Sequence, residues 1–201
     1  MFRRQENAKD PPTNTGAALD ADLIKRIARG DSLAMKTFYA RHHVRLFRFL
    51  VRMTRREATA EELMNEVFLE IWRKAGGYEG RSAVTTWMLS IAHHKAISSL
   101  RKRGEEALNE DDNGSEIADE DDDPEVALQK QNKAKALRAC MEKLSAEHRT
   151  ILDLVYYHDK SVMEASEVLG IPENTVKTRM FYARKRLAEL MREVGLDRGW
   201  P

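Results

Sequence analysis

An acidic block near the middle of the chain limits what this chain can fold into. Between Glu105 and Glu125 there are twelve Asp or Glu residues and no Lys or Arg. The segment from Gly104 to Pro124 also has almost no apolar side chains, so it cannot bury a core of its own. The sequence therefore predicts a flexible acidic linker over residues 104–124, with a separately folded segment on each side.

The two flanking segments carry charge of the opposite sign. The 201 residues include 34 Lys or Arg and 33 Asp or Glu, which gives a formal net charge of only +1. Residues 20–103 nevertheless hold 17 basic against 9 acidic residues, and residues 126–201 hold 14 against 10. Two basic segments joined by an acidic one indicate a polyanion as partner.

Composition excludes several classes of protein. No apolar run approaches the roughly 18–20 residues that span a bilayer, and the first residues lack the apolar core of a signal peptide. The single cysteine, Cys140, cannot form an internal disulfide, and the chain has no CxxC pair for zinc. We therefore expect a cytoplasmic protein with no membrane contact of its own and with no metal or other cofactor.

Apolar residues before the linker recur at helical spacing, and no segment alternates as a strand does. We expect residues 1–19 to form a disordered lead. Helices should follow from Asp20; a capping box at Thr59 and Glu62 opens the third, and the fourth spans about 83–103.

Helical spacing resumes after the linker. Four helices are predicted there, at about 125–143, 146–158, 162–169 and 173–194. The predicted fold class is therefore all-α, with two small helical domains at residues 20–103 and 125–194 on a flexible tether, and with a tail at 195–201.

The last two predicted helices form a helix-turn-helix. Ser161 and Glu164 make a capping box that opens the first of them, Gly170 ends it, and Pro172 is tolerated at the start of the second. On a helical wheel, the second helix has an apolar line that should face the core. The members of this line are Val176, Met180, Ala183, Leu187 and Leu190.

The opposite face of that second helix is typical of a major-groove reader. No acidic residue occurs between 175 and 188, and the face combines basic, hydroxyl and aromatic side chains. Its members are Lys177, Thr178, Phe181, Tyr182 and Lys185, with Arg179, Arg184 and Arg186 on the flanks. The alternative is a basic surface helix that only covers its domain.

The helix that starts near residue 83 carries a second candidate stripe. It consists of Trp87, Ser90, His94, Ser98 and Arg101. A tryptophan among hydroxyl, imidazole and guanidinium groups is suited to splayed single-stranded bases, on which stacking contributes roughly 1–3 kcal/mol per base. A tryptophan at the edge of the core explains the same pattern, and the residues alone do not decide between the two.

Motifs in both segments resemble those of one known family. Residues 23–31 (LIKRIARGD), 62–74 (ELMNEVFLEIWRK) and 86–92 (TWMLSIA) are similar to region 2 of an extracytoplasmic-function (ECF, group IV) RNA polymerase sigma factor of the sigma-70 superfamily. Residues 169–179 (LGIPENTVKTR) and 183–187 (ARKRL) are similar to its region 4. The resemblance implies a sigma factor that binds core RNA polymerase and directs it to promoters for transcription initiation.

The resemblance also implies roles for particular positions. Residues that match the stretch docking on the coiled coil of the large β-type polymerase subunit are Leu63, Asn65, Glu66, Phe68, Leu69 and Trp72. At least one of Phe68 and Trp72 should instead belong to the core. The −10 promoter element is expected to meet Gly77, Tyr78 and Arg81 in a base-capturing loop and the stripe of Trp87, Ser90, His94, Ser98 and Arg101. The −35 element is expected to meet Asn174, Thr175, Lys177, Thr178, Arg179, Phe181, Tyr182, Arg184 and Lys185.

The same resemblance implies a role for the linker and one further partner. The acidic linker matches the segment that threads through the active-site and RNA-exit channels of polymerase. An anti-sigma factor is expected to clasp both domains, because exposed apolar and basic faces need covering. When active, the protein should be associated with the nucleoid.

The chain departs from the family pattern at a few positions. His94 and Ser98 stand where Asn and Asp are frequent, and Tyr182 stands where Arg is frequent. Glu164 and its neighbours replace the more usual Ile-Ala pair in the first helix of the helix-turn-helix. The departures at His94, Ser98 and Tyr182 concern the promoter that is read rather than the fold.

Two other classes of function were weighed against a sigma factor. A polymerase-independent helix-turn-helix regulator would bind specific duplex DNA by itself. An enzyme would have to use Cys140, or the pairs His42-His43 and His93-His94 as metal ligands. Adjacent histidines on a helix point about 100° apart and make no bidentate site, and Cys140 lies in an apolar helical context typical of the core. We therefore expect no enzymatic activity.

Overall fold

The computed structural model describes residues 14–106 and 135–195, with side chains described for 16–103 and 135–195. The predicted helical residues 125–134, the tail from 196 and most of the predicted linker lie outside these ranges. All the regular structure within them is helical. The helices are α1 (Asn14–Ile27), α2 (Ser32–Thr54), α3 (Glu57–Lys74), α4 (Val84–Glu106), α5 (135–142), α6 (Ala146–Tyr156), α7 (Val162–Leu169) and α8 (Glu173–Glu193).

Helices α1 to α4 form the first lobe, in which α2 packs on both α1 and α3, and α4 packs on all three. The stripe of α3 that periodicity predicted is buried, including Val67 and Ile71, and so is the apolar line of α4 from Met88 to Ala96. A short 3-10 turn, Ala75–Gly77, ends α3. The loop after that turn carries the chain back to α4.

Helices α5 to α8 form the second lobe. The apolar line predicted for α8 lies against α6 and α7: Val176 and Ala183 are fully buried, and Leu187 and Leu190 nearly so. Helix α7 has the predicted capping box, because the Ser161 hydroxyl accepts from the Glu164 amide while the Glu164 carboxylate accepts from the Ser161 amide. Gly170 ends the helix with φ +65°, in the left-handed region that glycine enters without cost.

Two boundaries of the first lobe differ from the sequence prediction. Residues 14–19 are helical, although a disordered lead was predicted through residue 19, because helix α1 is held at Asp20 by His42 and Arg41 of α2. Helix α3 begins at Glu57 rather than at a capping box on Thr59, and its N-cap Arg56 makes no capping side-chain bond. At α1, contacts with another helix stabilise helical residues that local signals do not predict.

The two lobes are in direct contact. Helix α7 packs against the N-terminal part of α4, and α6 packs against α2. Arginines on one face of α2 reach the second lobe: Arg45 donates to the Tyr157 carbonyl oxygen at 2.8 Å, and Arg52 pairs with the buried carboxylate of Asp153. The sequence offered no sign of this contact, because its partners lie about 100 residues apart.

We predict that Gly170→Ala destabilises the second lobe by about 1 kcal/mol, since a Cβ in the left-handed region is strained even where space is open. Urea denaturation followed by circular dichroism measures the change. Gly76→Ala is the matched control, because Gly76 also has open space but lacks a positive φ; it should be neutral or slightly stabilising. Equal effects of the two substitutions would contradict the prediction.

Candidate nucleic-acid interface

Helix α8 presents its predicted groove-facing side chains to solvent. Phe181 and Tyr182 are 64% and 54% exposed and lie edge to face at 5.4 Å between ring centroids. Lys177 and Lys185 are also exposed. Large aromatic side chains that contribute nothing to the core of their own domain indicate a surface that contacts a partner.

Some of the hydrogen-bonding groups on α8 are already engaged. The Thr178 hydroxyl donates to the Asn174 carbonyl oxygen at 2.9 Å, which leaves its lone pairs free to accept. Arg179 is half-buried and pairs with Glu147 of α6 at 3.4 Å. Arg184 lies 5.6 Å from the centroid of the Tyr156 ring. The lysines and aromatic rings are therefore the more accessible part of the face.

The predicted stripe on α4 lies at the surface of the first lobe, but the side chain of Trp87 is half-buried. Its ring packs against Tyr78 at 5.0 Å between centroids, and the Tyr78 hydroxyl donates to the Ser82 carbonyl oxygen. Partial burial raises the pKa of Tyr78, which keeps the phenol neutral. The Trp87 ring thus lies at the edge of the core, as one alternative held. It is also partly exposed and packs on Tyr78 of the neighbouring loop, so a role in base stacking stays open.

Farther along α4 the stripe becomes fully accessible. Ser90 is half-buried, whereas His94, Ser98 and Arg101 are exposed. The His94 ring shares a 2.7 Å contact with the Ser90 carbonyl oxygen, which orients it along the helix. Its neighbour His93 turns inward, and burial, with a smaller contribution from His94, lowers the pKa of His93 to about 4.

In the base-capturing loop expected from the resemblance, Gly77 and Arg81 are exposed. Arg81 pairs with Glu79 on the same loop, so its guanidinium lies at the surface beside an acid. Tyr78 is held between this loop and α4. The loop therefore presents one ordered aromatic ring flanked by polar groups.

The predicted polymerase-binding residues on α3 divide by burial. Leu63 and Phe68 are 6% and 4% exposed and belong to the core, so in this structure they are not part of the exposed edge of α3. Leu69 and Trp72 are 48% and 37% exposed. Asn65 and Glu66 are also at the surface, and Glu66 accepts from Lys95 of α4 at 2.9 Å. The interpretation that one of Phe68 and Trp72 is internal agrees with the burial of Phe68.

Sequence reasoning missed a polar cluster between the lobes, in which Lys160 and Thr86 are buried and Thr85 and Glu164 are half-buried. The Lys160 ammonium, on a side chain that is 7% exposed, donates to the hydroxyls of Thr85 at 2.8 Å and Thr86 at 2.9 Å and to Glu164 at 3.0 Å. The Thr86 hydroxyl donates to the same Glu164 oxygen at 2.7 Å. The only signal was the unusual Glu164, which the capping box by itself accounted for.

The charge on Glu164 is fixed by these contacts. Burial alone would raise its pKa, but hydrogen bonds from the Ser161 amide, Thr86 and Lys160 outweigh that effect and hold the pKa at about 2. The carboxylate therefore stays ionised across the physiological range. Its stabilising contribution is present above its ordinary pKa of 4.5 and is lost only as the pH falls through about 2.

Cys140 and His42, which were candidates for catalysis, are engaged in the folded interior. Cys140 is buried, and burial raises the pKa of its thiol, which disfavours the nucleophilic thiolate. His42 pairs with Asp20 at 3.1 Å. Among the residues that the structure describes, no three His, Cys, Asp or Glu side chains are grouped as metal ligands would be, and no helix is long and apolar enough to cross a membrane.

Comparison with known proteins matches both lobes. The Sigma-70 region 2 family matches residues 38–106, and the Sigma-70 region 4 family matches residues 134–187. The chain is 28% identical over 180 residues to the ECF RNA polymerase sigma factor SigK of Mycobacterium bovis, covering 88% of this chain and 95% of that one. It is 27% identical over 168 residues to SigK of Mycolicibacterium vanbaalenii, covering 82% and 84%.

Two solved structures share the fold. RpoE of Bartonella quintana, in a co-crystal with the anti-sigma factor NepR, superposes with a TM-score of 0.65 at 24% identity, covering 78% of this chain and 96% of that one. CnrH, in complex with the cytosolic domain of CnrY, superposes with a TM-score of 0.62 at 20% identity, covering 87% and 98%.

Two regions of one family in the correct order, together more than half of the chain, define the class as a sigma-70 type transcription initiation factor. The chain belongs to the extracytoplasmic-function group of RNA polymerase sigma factors.

We predict that Cys140 is inert in the folded protein. A thiol-specific chromogenic disulfide should react with it at least about tenfold more slowly than with the same chain in denaturant, because the thiol is buried and its thiolate is disfavoured. The absorbance of the released thiolate gives both rates. Comparable rates in the two conditions would show an accessible, activated thiol and would reopen a catalytic interpretation.

Proposed function

We propose that this protein is an alternative sigma factor whose first lobe binds core polymerase and the −10 element and whose second lobe binds the −35 element. The observation that carries the proposal is the pair of outward-facing surfaces, on α4 and on α8, each built of groups suited to nucleic acid. The α8 surface has exposed lysines and aromatic rings over a fully packed apolar face.

For the −35 element, the accessible side chains on α8 are the candidates for base contacts. Lys177 and Lys185 supply donors for phosphates or for guanine edges, and Phe181 and Tyr182 supply apolar contact with thymine methyl groups. Arg179 and Arg184, which have protein partners, are better suited to phosphate positioning. Asn174 and Thr175 lie at the N-terminus of the helix, where backbone amides favour phosphate.

For the −10 element, Tyr78 and Trp87 form the candidate stacking platform. Two adjacent aromatic rings with Arg101 and His94 farther along the same face fit an unpaired strand, in which bases stack and the backbone follows basic groups. Ser90 and Ser98 supply hydroxyl contacts. Gly77 and Arg81 border the loop in which a flipped base would be held.

For polymerase, the candidate surface is the exposed edge of α3. Leu69 and Trp72 supply the apolar contacts, and Asn65 and Glu66 supply the polar ones, while the buried Leu63 and Phe68 position the helix. An amphipathic helix laid on a helical hairpin is a common recognition mode. No catalytic role is proposed, and the protein should act in the cytoplasm where polymerase is.

An anti-sigma factor is the proposed regulator. It is supported by the exposed apolar and basic side chains on both lobes. It is also supported by the fold shared with RpoE, which was solved with the anti-sigma factor NepR. A partner that covers α3 and α8 together would block polymerase and promoter at once.

The deciding experiment is core-dependent transcription. Purified core polymerase, with and without this protein, transcribes a library of promoters, and the transcript starts are sequenced. We expect new starts that share two upstream elements only when the protein is added. Absence of such starts, combined with tight and specific duplex binding by the protein alone, would instead support a polymerase-independent regulator.

We predict that Trp72→Ala weakens binding to core polymerase by about 30-fold, since truncating a central aromatic anchor costs about 2 kcal/mol. Competition against a labelled sigma factor for core measures the affinity. Val44→Ala, which shortens an exposed side chain on α2 that is not among the proposed polymerase contacts, is the control and should have no effect. Equal affinities for both variants, with unchanged thermal melting, would remove Trp72 from the interface.

A further inference from the structure

Lys160 is a buried cation that the proposed promoter contacts leave unexplained. Its ammonium lies between the lobes and makes contacts with Thr85 and Thr86 of α4 and with Glu164 of α7. Thr86 is 1% exposed and Lys160 is 8% exposed. A buried ammonium is costly unless it is fully paired, so this cluster is stable only while the lobes stay together.

A second set of polar contacts crosses the same interface. On α2, Arg45, Phe49 and Arg52 lie on one face at spacings of four and three residues. Arg52 pairs with Asp153, which is 1% exposed, and its guanidinium lies 4.6 Å from the centroid of the Tyr157 ring. Phe49 meets the ring of His158 edge to face at 5.3 Å.

This interface contains several buried polar groups as well as the buried ring of Phe49. Lys160, Thr86 and Asp153 are buried there and can be hydrated again when the lobes separate. Contacts of this kind resemble transient interfaces between domains rather than a shared core. Each lobe can therefore keep its fold while the contact between them opens.

While the lobes are in contact, the surfaces of α4 and α8 are closer together than the two promoter elements are on DNA. Packed helix axes lie about 8–10 Å apart, so α8, which packs on α7, is about two helix layers from α4. Elements centred near −35 and −10 are about 25 base pairs apart, which is about 85 Å of duplex at 3.4 Å per base pair. Half the length of α4 and half the length of α8, each about 16 Å at 1.5 Å per residue, could be added to the separation of the helix axes. The total is still shorter than the distance of about 85 Å between the two promoter elements.

We propose that Lys160, Glu164, Thr85 and Thr86 form a latch that holds the free chain closed and that must open before both promoter elements are read, a proposal that rests on the promoter-binding function above. Glu164 serves both sides of the latch: it caps its own helix and accepts from the other lobe. The free energy of the latch then reduces the affinity for promoter and polymerase by the fraction of chains that are open.

The test is small-angle scattering of the free full-length chain. Lys160→Glu places a second carboxylate beside Glu164, so we expect its radius of gyration to increase over that of the wild-type chain. Lys143→Glu makes the same charge change at an exposed position of the second lobe and should leave the radius unchanged. Helicity and thermal melting establish that both variants remain folded.

A milder pair of substitutions tests the same groups. Glu164→Gln keeps the capping box, which accepts Gln as well as Glu, but removes the charge opposite Lys160. In core-dependent transcription we expect its half-maximal concentration to fall at least threefold, because a larger fraction of chains is open. Glu167→Gln, an exposed acid on the same helix, should not change it.

An unchanged radius for a folded Lys160→Glu chain, or a wild-type chain already as extended as that variant, would overturn the latch. Neither result depends on polymerase or DNA, so the latch can fail while the proposed function stands. Conversely, absence of core-dependent starts with the wild-type protein would refute the function and leave the scattering result valid.

Discussion

The packing of α7 against α4 sets how the surface of α8 lies relative to the surface of α4 in this structure. Helix α7 packs against α8 on one side and against the start of α4 on the other. At α4, the Thr86 hydroxyl donates to the Glu164 carboxylate of α7. Besides apolar side chains, this contact contains the buried ammonium of Lys160 and the half-buried carboxylate of Glu164. Because water can solvate these charged groups when the lobes separate, the contact can be specific without being permanent.

Polar contacts join the two lobes of this chain in addition to apolar packing. Within each lobe, apolar stripes on α3, α4 and α8 are buried and fix the helices relative to one another. Between the lobes, arginines of α2 and the Lys160 cluster meet carboxylates, hydroxyls and a backbone carbonyl. The proposed latch uses these polar contacts, since each lobe keeps its own packed helices when the contact between the lobes opens.

Much of the site could be predicted from residues alone. The apolar line from Val176 to Leu190 required the opposite face of α8 to be exposed, and Phe181 and Tyr182 are exposed for that reason. On α3 the prediction was less successful, because Phe68 and Trp72 lie four residues apart on nearly the same face. Only the neighbouring helix α2, whose Phe38 and Tyr39 pack on the Phe68 ring, decides which of the two is inside.

The sequence by itself determined the all-α class, the two groups of helices, the helix-turn-helix and the faces that point outward, because these follow from period, capping and charge within short segments. Tertiary structure decided what depends on contacts between distant residues. Asp20 extends α1 through its pairs with α2, and Lys160 and Glu164 become a buried cluster only when α4 lies beside α7. Local patterns carry no information on partners some 75 residues away, so the joint between the lobes could be found only in three dimensions.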